Sequence, residues 1–292
     1  MKSYDIIIVN NIPEDDYYGI VNEAVSYALI SLPFTIDRMR IPNHIRRTLN
    51  IAKGKIAEGL FKWFCNSKDI DIDFESCETP FWEIDKRDFI LYGYEWDIKN
   101  NFIYHQGNIF DDYIKLPALI PNRHDRDQWS TKDQKKIKNS KGIKYLFTFL
   151  KGADLTNNNR GEDFLIINLS FEQSEFISDL YEKYRGMPQT QRPFDDDWFW
   201  KELKKRGSSR FFSFSFMPYL VITGYADENH WHLFKDTGPY SPYNYQDYFQ
   251  EKWYKKVGHK NSLMWLNGAL WTTITNKTCP LPELPSFKSL IE

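Results

Sequence analysis

The sequence predicts an α/β protein of the α+β type: a mixed β-sheet flanked by helices, followed by an elaborated, aromatic-rich C-terminal region. Three observations predict it. Apolar residues recur every three or four positions in two segments before residue 66 and again from 171 to 185, the period of amphipathic helices. Two short apolar stretches on either side of Tyr92-Gly93 read as a hairpin. Two further apolar runs, 145–150 and 164–169, read as buried strands that extend the hairpin's sheet.

The first element is a packing helix at 14–31, with Ile20, Val21, Ala24, Val25, Ala28 and Leu29 on one side and its end expected before Pro33. A second helix is expected from about 43 to 66, where Ile45, Leu49, Ala52, Ile56, Leu60 and Phe64 form one apolar stripe. Gly54 and Gly59 either weaken that helix or let another backbone approach it. From Thr35 to Lys62 seven basic residues face only two acids, Asp37 and Glu58. That segment is a solvated helix face or a phosphate-facing surface.

Residues 70–84, with Pro80, read as an edge strand and a turn. The hairpin follows at 88–101. Asp97 and Lys99 are two apart and share one face of its second strand, while Trp96 and Ile98 take the other. With Asp88 opening the first strand, two acids and a lysine converge at one end of the hairpin. Burying such a group is costly unless its charges are paired or hold a metal. Beyond it, 100–127 is loop-like, and 132–144 holds six lysines against the single Asp133. That run is a solvated lysine-rich loop or one that grips a nucleic-acid backbone.

Gly186 and Pro188 close the helix at 171–185. The triplet Asp195-Asp196-Asp197 reads as a helix start, since adjacent acids point in different directions and favour the positive end of a helix. Strands are expected at 211–225 and 231–234. His230 and His232 could share a strand face, but without a third ligand they make a poor zinc site.

Composition bounds the function. A chain of 292 residues with 41% hydrophobic content builds a substantial core, and with no repeat or linker in view it reads as one elaborated domain spanning 1–292. A net charge of -2 means that nucleic acid would have to be met by local basic patches. Three scattered cysteines suit a reducing cytoplasm, and no window reaches the roughly 18 apolar residues of a membrane span. A cytoplasmic protein with no membrane partner is therefore expected. Aromatics make up 17% and are densest after residue 195, which serves a thick core more often than base stacking.

The element order, together with Asp88 … Asp97-Ile98-Lys99, resembles the PD-(D/E)XK nuclease superfamily over about residues 45–170. By that resemblance Asp88 is the first acid, Asp97 the second and Lys99 the lysine of a metal-dependent phosphodiesterase site. Glu58, in the Gly54–Leu60 segment, looks like the superfamily's helix glutamate. Arg87 stands where the family name has proline, and Asp97 replaces the commoner glutamate. Asp85 and Glu95 are rival acids. Glu58 lies roughly opposite the apolar stripe of its helix and faces solvent or a cleft.

The resemblance implies Mg²⁺, with Mn²⁺ as a substitute, held by Asp88, Asp97, Glu58 and the Ile98 carbonyl, with Lys99 acting on the attacking water or on the phosphate. It further implies a type II restriction endonuclease acting as a homodimer on double-stranded DNA, with a cognate DNA methyltransferase encoded nearby. A repair or junction-resolving nuclease, or a non-catalytic nucleic-acid-binding protein, are the alternatives. Candidate DNA contacts are Arg47, Lys55, Asn100, Arg123, His124, Arg126, Lys135, Lys136 and Lys138.

Overall fold

The structure is a computed structural model that describes residues 1–39, 43–83, 87–103, 113–121, 143–151, 163–185, 187, 191–236, 254–257, 261–266, 269–270 and 276–292. After the short strand β1 (Ile7–Val9) come two long helices, α1 (Glu14–Met39) and α2 (His44–Ser67). The hairpin strands β2 (Phe89–Leu91) and β3 (Tyr94–Ile103) follow, then β4 (Pro117–Pro121), β5 (Lys144–Lys151) and β6 (Leu165–Ile167). Helices α3 (Phe171–Tyr184) and α4 (Asp196–Lys205) precede β7 (Phe212–Phe214), β8 (Tyr219–Ala226) and β9 (Lys235–Asp236). Strands β10 (Tyr254–Val257), β11 (Asn261–Leu266), β12 (Ala269–Leu270) and β13 (Asn276–Pro280) come next, followed by a 3₁₀ turn (Leu281–Glu283) and the short helix α5 (Lys288–Ile291).

The central sheet has five strands in the order β1-β8-β5-β3-β2, and only β3 and β5 run parallel. Side-chain alternation splits it into two faces. Trp96 and Ile98 of β3, with Leu146 and Leu150 of β5, pack against α1 and α2 in one core. Tyr145, Phe147 and Phe149 point the other way into a second core with Ala118, Leu119, Cys279 and Leu281. A small sheet of order β4-β13-β9 contributes to that second layer.

Helix α1 runs through Pro33, past the end that the proline predicts. Pro33 lacks one helical N–H, a loss of about 3 kcal/mol. Fully burying Leu29 and Leu32 in the turn just before it, at about 1.5–3 kcal/mol each, outweighs it. Helix α2 begins where the sequence puts it, with the Asn43 side chain accepting from Arg46 N at 2.8 Å. Gly59 is the point of close approach, since a Cβ there would lie 2.6 Å from Ile20 Cγ2 of α1. At Gly54 a Cβ would meet nothing.

The expected edge strand at 70–84 is instead a 3₁₀ turn, Glu75–Cys77, with one bridge from Asp73 to Ile90. Asp73 Oδ1 accepts from Ser76 N at 2.9 Å and bends the backbone away from extension. Strand β5 does extend the hairpin's sheet, but β6 pairs with β7 in a two-stranded sheet of its own. The place beside β5 goes to β8, whose Leu220, Val221 and Ile222 are buried on both faces. The sheet thus takes strands from beyond 45–170, and among the described C-terminal residues Cys279, Leu281, Leu284 and Phe287 are also buried in the core. Trp231–Leu233 forms a 3₁₀ turn, so His230 and His232 do not lie on a strand, and His230 Nδ1 bonds Asp227 Oδ1 at 2.7 Å. Asp195 caps α4, accepting from Asp197 N and Trp198 N, as the acidic triplet predicts.

Candidate active site

The hairpin turns through Tyr92 (φ 53°) and Gly93 (φ 74°), both left-handed, as a two-residue turn of the primed type requires. Its register pairs Phe89 with Trp96, and one step further on Asp88 stands opposite Asp97. Here β2 ends, and a side chain replaces the backbone. Asp88 N donates to Trp96 O at 2.7 Å, while Asp88 Oδ2 accepts the Ile98 N–H at 2.5 Å. That bond fixes the carboxyl at the fork of the two strands.

Asp88 is half-exposed as a residue, but its carboxyl is largely stripped of water. Burial, then Glu58, then Asp97 push its pKa well above the usual carboxylate range, while Lys55 and the Ile98 N–H pull the other way. Asp88, at the fork between strands, therefore feels one acid from a helix and one from a strand. Glu58 Oε2 accepts from Lys55 Nζ at 2.6 Å. Glu58 and Asp88 line one cleft of about 310 Å³, bounded by α1, α2 and the Glu75–Cys77 turn. Glu58 thus faces a cleft rather than open solvent.

Asp97 and Lys99 lie on the opposite face of β3 from Trp96 and Ile98. Lys99 Nζ donates to Asp97 Oδ2 at 2.5 Å and sits 4.7 Å from the centre of the Tyr145 ring. Asp88 is the link between this pair and the cleft. Each of the three carboxylates already holds a donor, and among the described residues no three His, Cys, Asp or Glu side chains form a ready-made metal cage. The donor set nevertheless suits a hard cation: all three are carboxylates, and one of them has its proton affinity raised by burial and then by the other two.

Of the rival acids, Glu95 accepts from Arg87, and Asp85 lies outside the described residues. The basic segment before residue 62 divides in two. Arg47 is fully buried near Tyr181, and burial lowers its pKa to about 10, so it presents no surface to DNA as it stands. Lys53 Nζ pairs with Asp163 Oδ2 at 2.5 Å under the Phe102 ring. Lys55 and Lys62 instead line the cleft. Asn100 Oδ1 accepts from Thr148 Oγ1 at 3.1 Å. Arg123, His124, Arg126, Lys135, Lys136 and Lys138 lie outside the described residues.

Glu23 and Tyr27 of α1, which no sequence motif singled out, line the same cleft, as do Lys62 of the basic segment and Arg87. Glu23 and Tyr27 are one turn apart, and Lys55, Glu58 and Lys62 recur at steps of three and four, so each set could have been read as one helix face. Comparison with protein-family models, with curated proteins and with solved structures finds no match. Among the described residues no helix is long and apolar enough to cross a membrane.

Proposed function

We propose that this chain is a metal-dependent endonuclease that hydrolyses DNA phosphodiester bonds, of the sequence-specific type II restriction kind. The observation that carries the reading is Asp88. It is a desolvated carboxyl pinned at a strand fork, with Glu58 and Asp97 from two other elements raising its proton affinity. Such an arrangement costs stability unless something positive joins it. An α-helix, an edge bridge, a hairpin and a parallel strand, in that order, also fit the PD-(D/E)XK resemblance.

In this reading Asp88, Asp97 and Glu58, with the Ile98 carbonyl, hold Mg²⁺ or Mn²⁺. The ion supplies charge stabilisation at the scissile phosphate and a more acidic water. The chain's own residues do the rest. The Ile98 N–H keeps Asp88 in place through substrate binding. Lys99, now held by Asp97 over Tyr145, is the cation free to turn to the phosphate or the attacking water once Asp97 is engaged elsewhere. The substrate is double-stranded DNA, cut by a cytoplasmic homodimer whose cognate methyltransferase is encoded nearby. Incubating purified protein with mixed plasmids tests this: discrete fragments appear with Mg²⁺ and not with chelator. Intact plasmids across many sequences, with or without metal, refute it.

A further inference from the structure

The cleft beside Asp88 has a chemistry of its own. Its two described aromatic walls come from different elements, Tyr27 from α1 and Phe74 from the residue before the Glu75–Cys77 turn. Each carries a lysine of α2. Lys55 Nζ lies 4.9 Å from the Tyr27 ring centre, and Lys62 Nζ lies 5.6 Å from that of Phe74. Phe74 is held in place from behind by Phe61 and Phe89, at ring distances of 6.1 and 5.7 Å. The two lysines are seven residues apart, two helical turns or about 10 Å along one face. Arg87, paired with Glu95, adds a third cation to the lining next to Asp88, among the acids Glu23, Glu58 and Glu78.

A cavity of about 310 Å³ is at the small end of ligand pockets, large enough for one nucleotide and too small for a base-paired duplex. Aromatic rings serve any base as stacking partners, and cations spaced along a groove serve consecutive phosphates. Neither Tyr27, Phe74 nor Lys62 is needed by the hydrolytic residues. We propose that this cleft binds a single unpaired nucleotide of the substrate strand, with its base against Tyr27 and Phe74 and its phosphates at Lys62 and Arg87. The strand next to the scissile bond would therefore be unstacked on binding. This rests on the nuclease reading and adds to it the form in which the substrate is held.

The probe is deoxythymidine 3′,5′-bisphosphate, titrated calorimetrically into the full chain in Ca²⁺, with thymidine and inorganic phosphate as comparisons. One bisphosphate binds per chain and far more tightly than either comparison. Tyr27→Leu weakens it about 5- to 150-fold, the range for a lost stacking partner, while Tyr27→Phe keeps it. Lys62→Ala, at an exposed position that should not disturb folding, weakens it as well. No binding by the wild-type chain overturns the proposal, as does binding unchanged in both Tyr27→Leu and Lys62→Ala, or inorganic phosphate binding as tightly as the bisphosphate. The two readings fail separately. Plasmid cleavage without bisphosphate binding sinks only the nucleotide pocket, and bisphosphate binding without cleavage sinks the nuclease.

Discussion

Replacing Gly59 by alanine probes how α1 and α2 meet, and so how Glu58 is aimed. The new Cβ would stand 2.6 Å from Ile20 Cγ2 and 3.5 Å from Ile20 Cβ. Relaxed carbon contacts sit at about 3.5–4.0 Å, so the helices must separate by about 1 Å at this point. The Cγ2 methyl is fixed directly on a β-branched carbon and cannot swing clear without changing rotamer. Overpacking of this kind costs about 1–3 kcal/mol, against which alanine gains about 1 kcal/mol in helix propensity. Gly54→Ala in the same helix meets nothing and should show the propensity gain alone. Urea denaturation therefore gives Gly54→Ala about 1 kcal/mol above wild type and Gly59→Ala about 1 kcal/mol below it. Removing the obstacle decides the matter: Ile20→Ala with Gly59→Ala should show a favourable coupling of about 1–3 kcal/mol, the strain relieved. Additive effects, or equal gains from both glycine changes, would refute the packing argument.

Asp88→Asn should stabilise the chelator-treated protein with a defined pH dependence. Because the folded pKa of Asp88 is raised, the native state holds more protons than the unfolded chain between about pH 3.9 and that raised value, and its stability falls as pH rises through this window. The Tm advantage of the asparagine variant should be full above the window and vanish near pH 3; a constant difference at every pH contradicts the assignment. In the same scans Mg²⁺ at about 100 times its Kd stabilises the wild type by about 2.7 kcal/mol, and Asp88→Asn should lose most of that. Gln173 is fully buried and joins α3 to the end of α4, donating to Leu203 O and Ser208 O at 3.0 Å and accepting from Ser170 N at 2.9 Å. Gln173→Ala leaves these groups unmatched and should cost about 2–4 kcal/mol in urea unfolding; a loss below about 0.5 kcal/mol would mean that water replaces the side chain.

The legible parts of the fold were those with strong local signals. Helix α2, the capped α3 and α4, β5 and the hairpin all follow from periodicity and turn chemistry. The misread parts were set by tertiary contacts. Pro33 stays helical because its surroundings are buried, β6 leaves the main sheet because β8 takes its place, and residues 73–77 turn because one aspartate captures a nearby N–H. The site divides in the same way. Asp88, Asp97 and Lys99 were visible as strand neighbours. The cleft that Asp88 shares with Glu58 was not, because it needs α1 to cross α2 at Gly59, and nothing in the spacing of either helix states where they cross. Arg47 is the converse case: a cation in a basic segment reads as surface, yet packing around it has removed it from water.

In the proposed function Asp88 acts in hydrolysis rather than in folding or DNA affinity, and one comparison isolates that role. Asparagine keeps the shape of the side chain and an oxygen to accept the Ile98 N–H, while removing the charge. Plasmid cleavage in Mg²⁺ and DNA binding in Ca²⁺ should be measured on the same preparations of wild type and Asp88→Asn. The variant should bind DNA about as tightly as wild type and produce no fragments. Fragments at the wild-type rate from Asp88→Asn would contradict it and move the chemistry away from the β2–β3 fork.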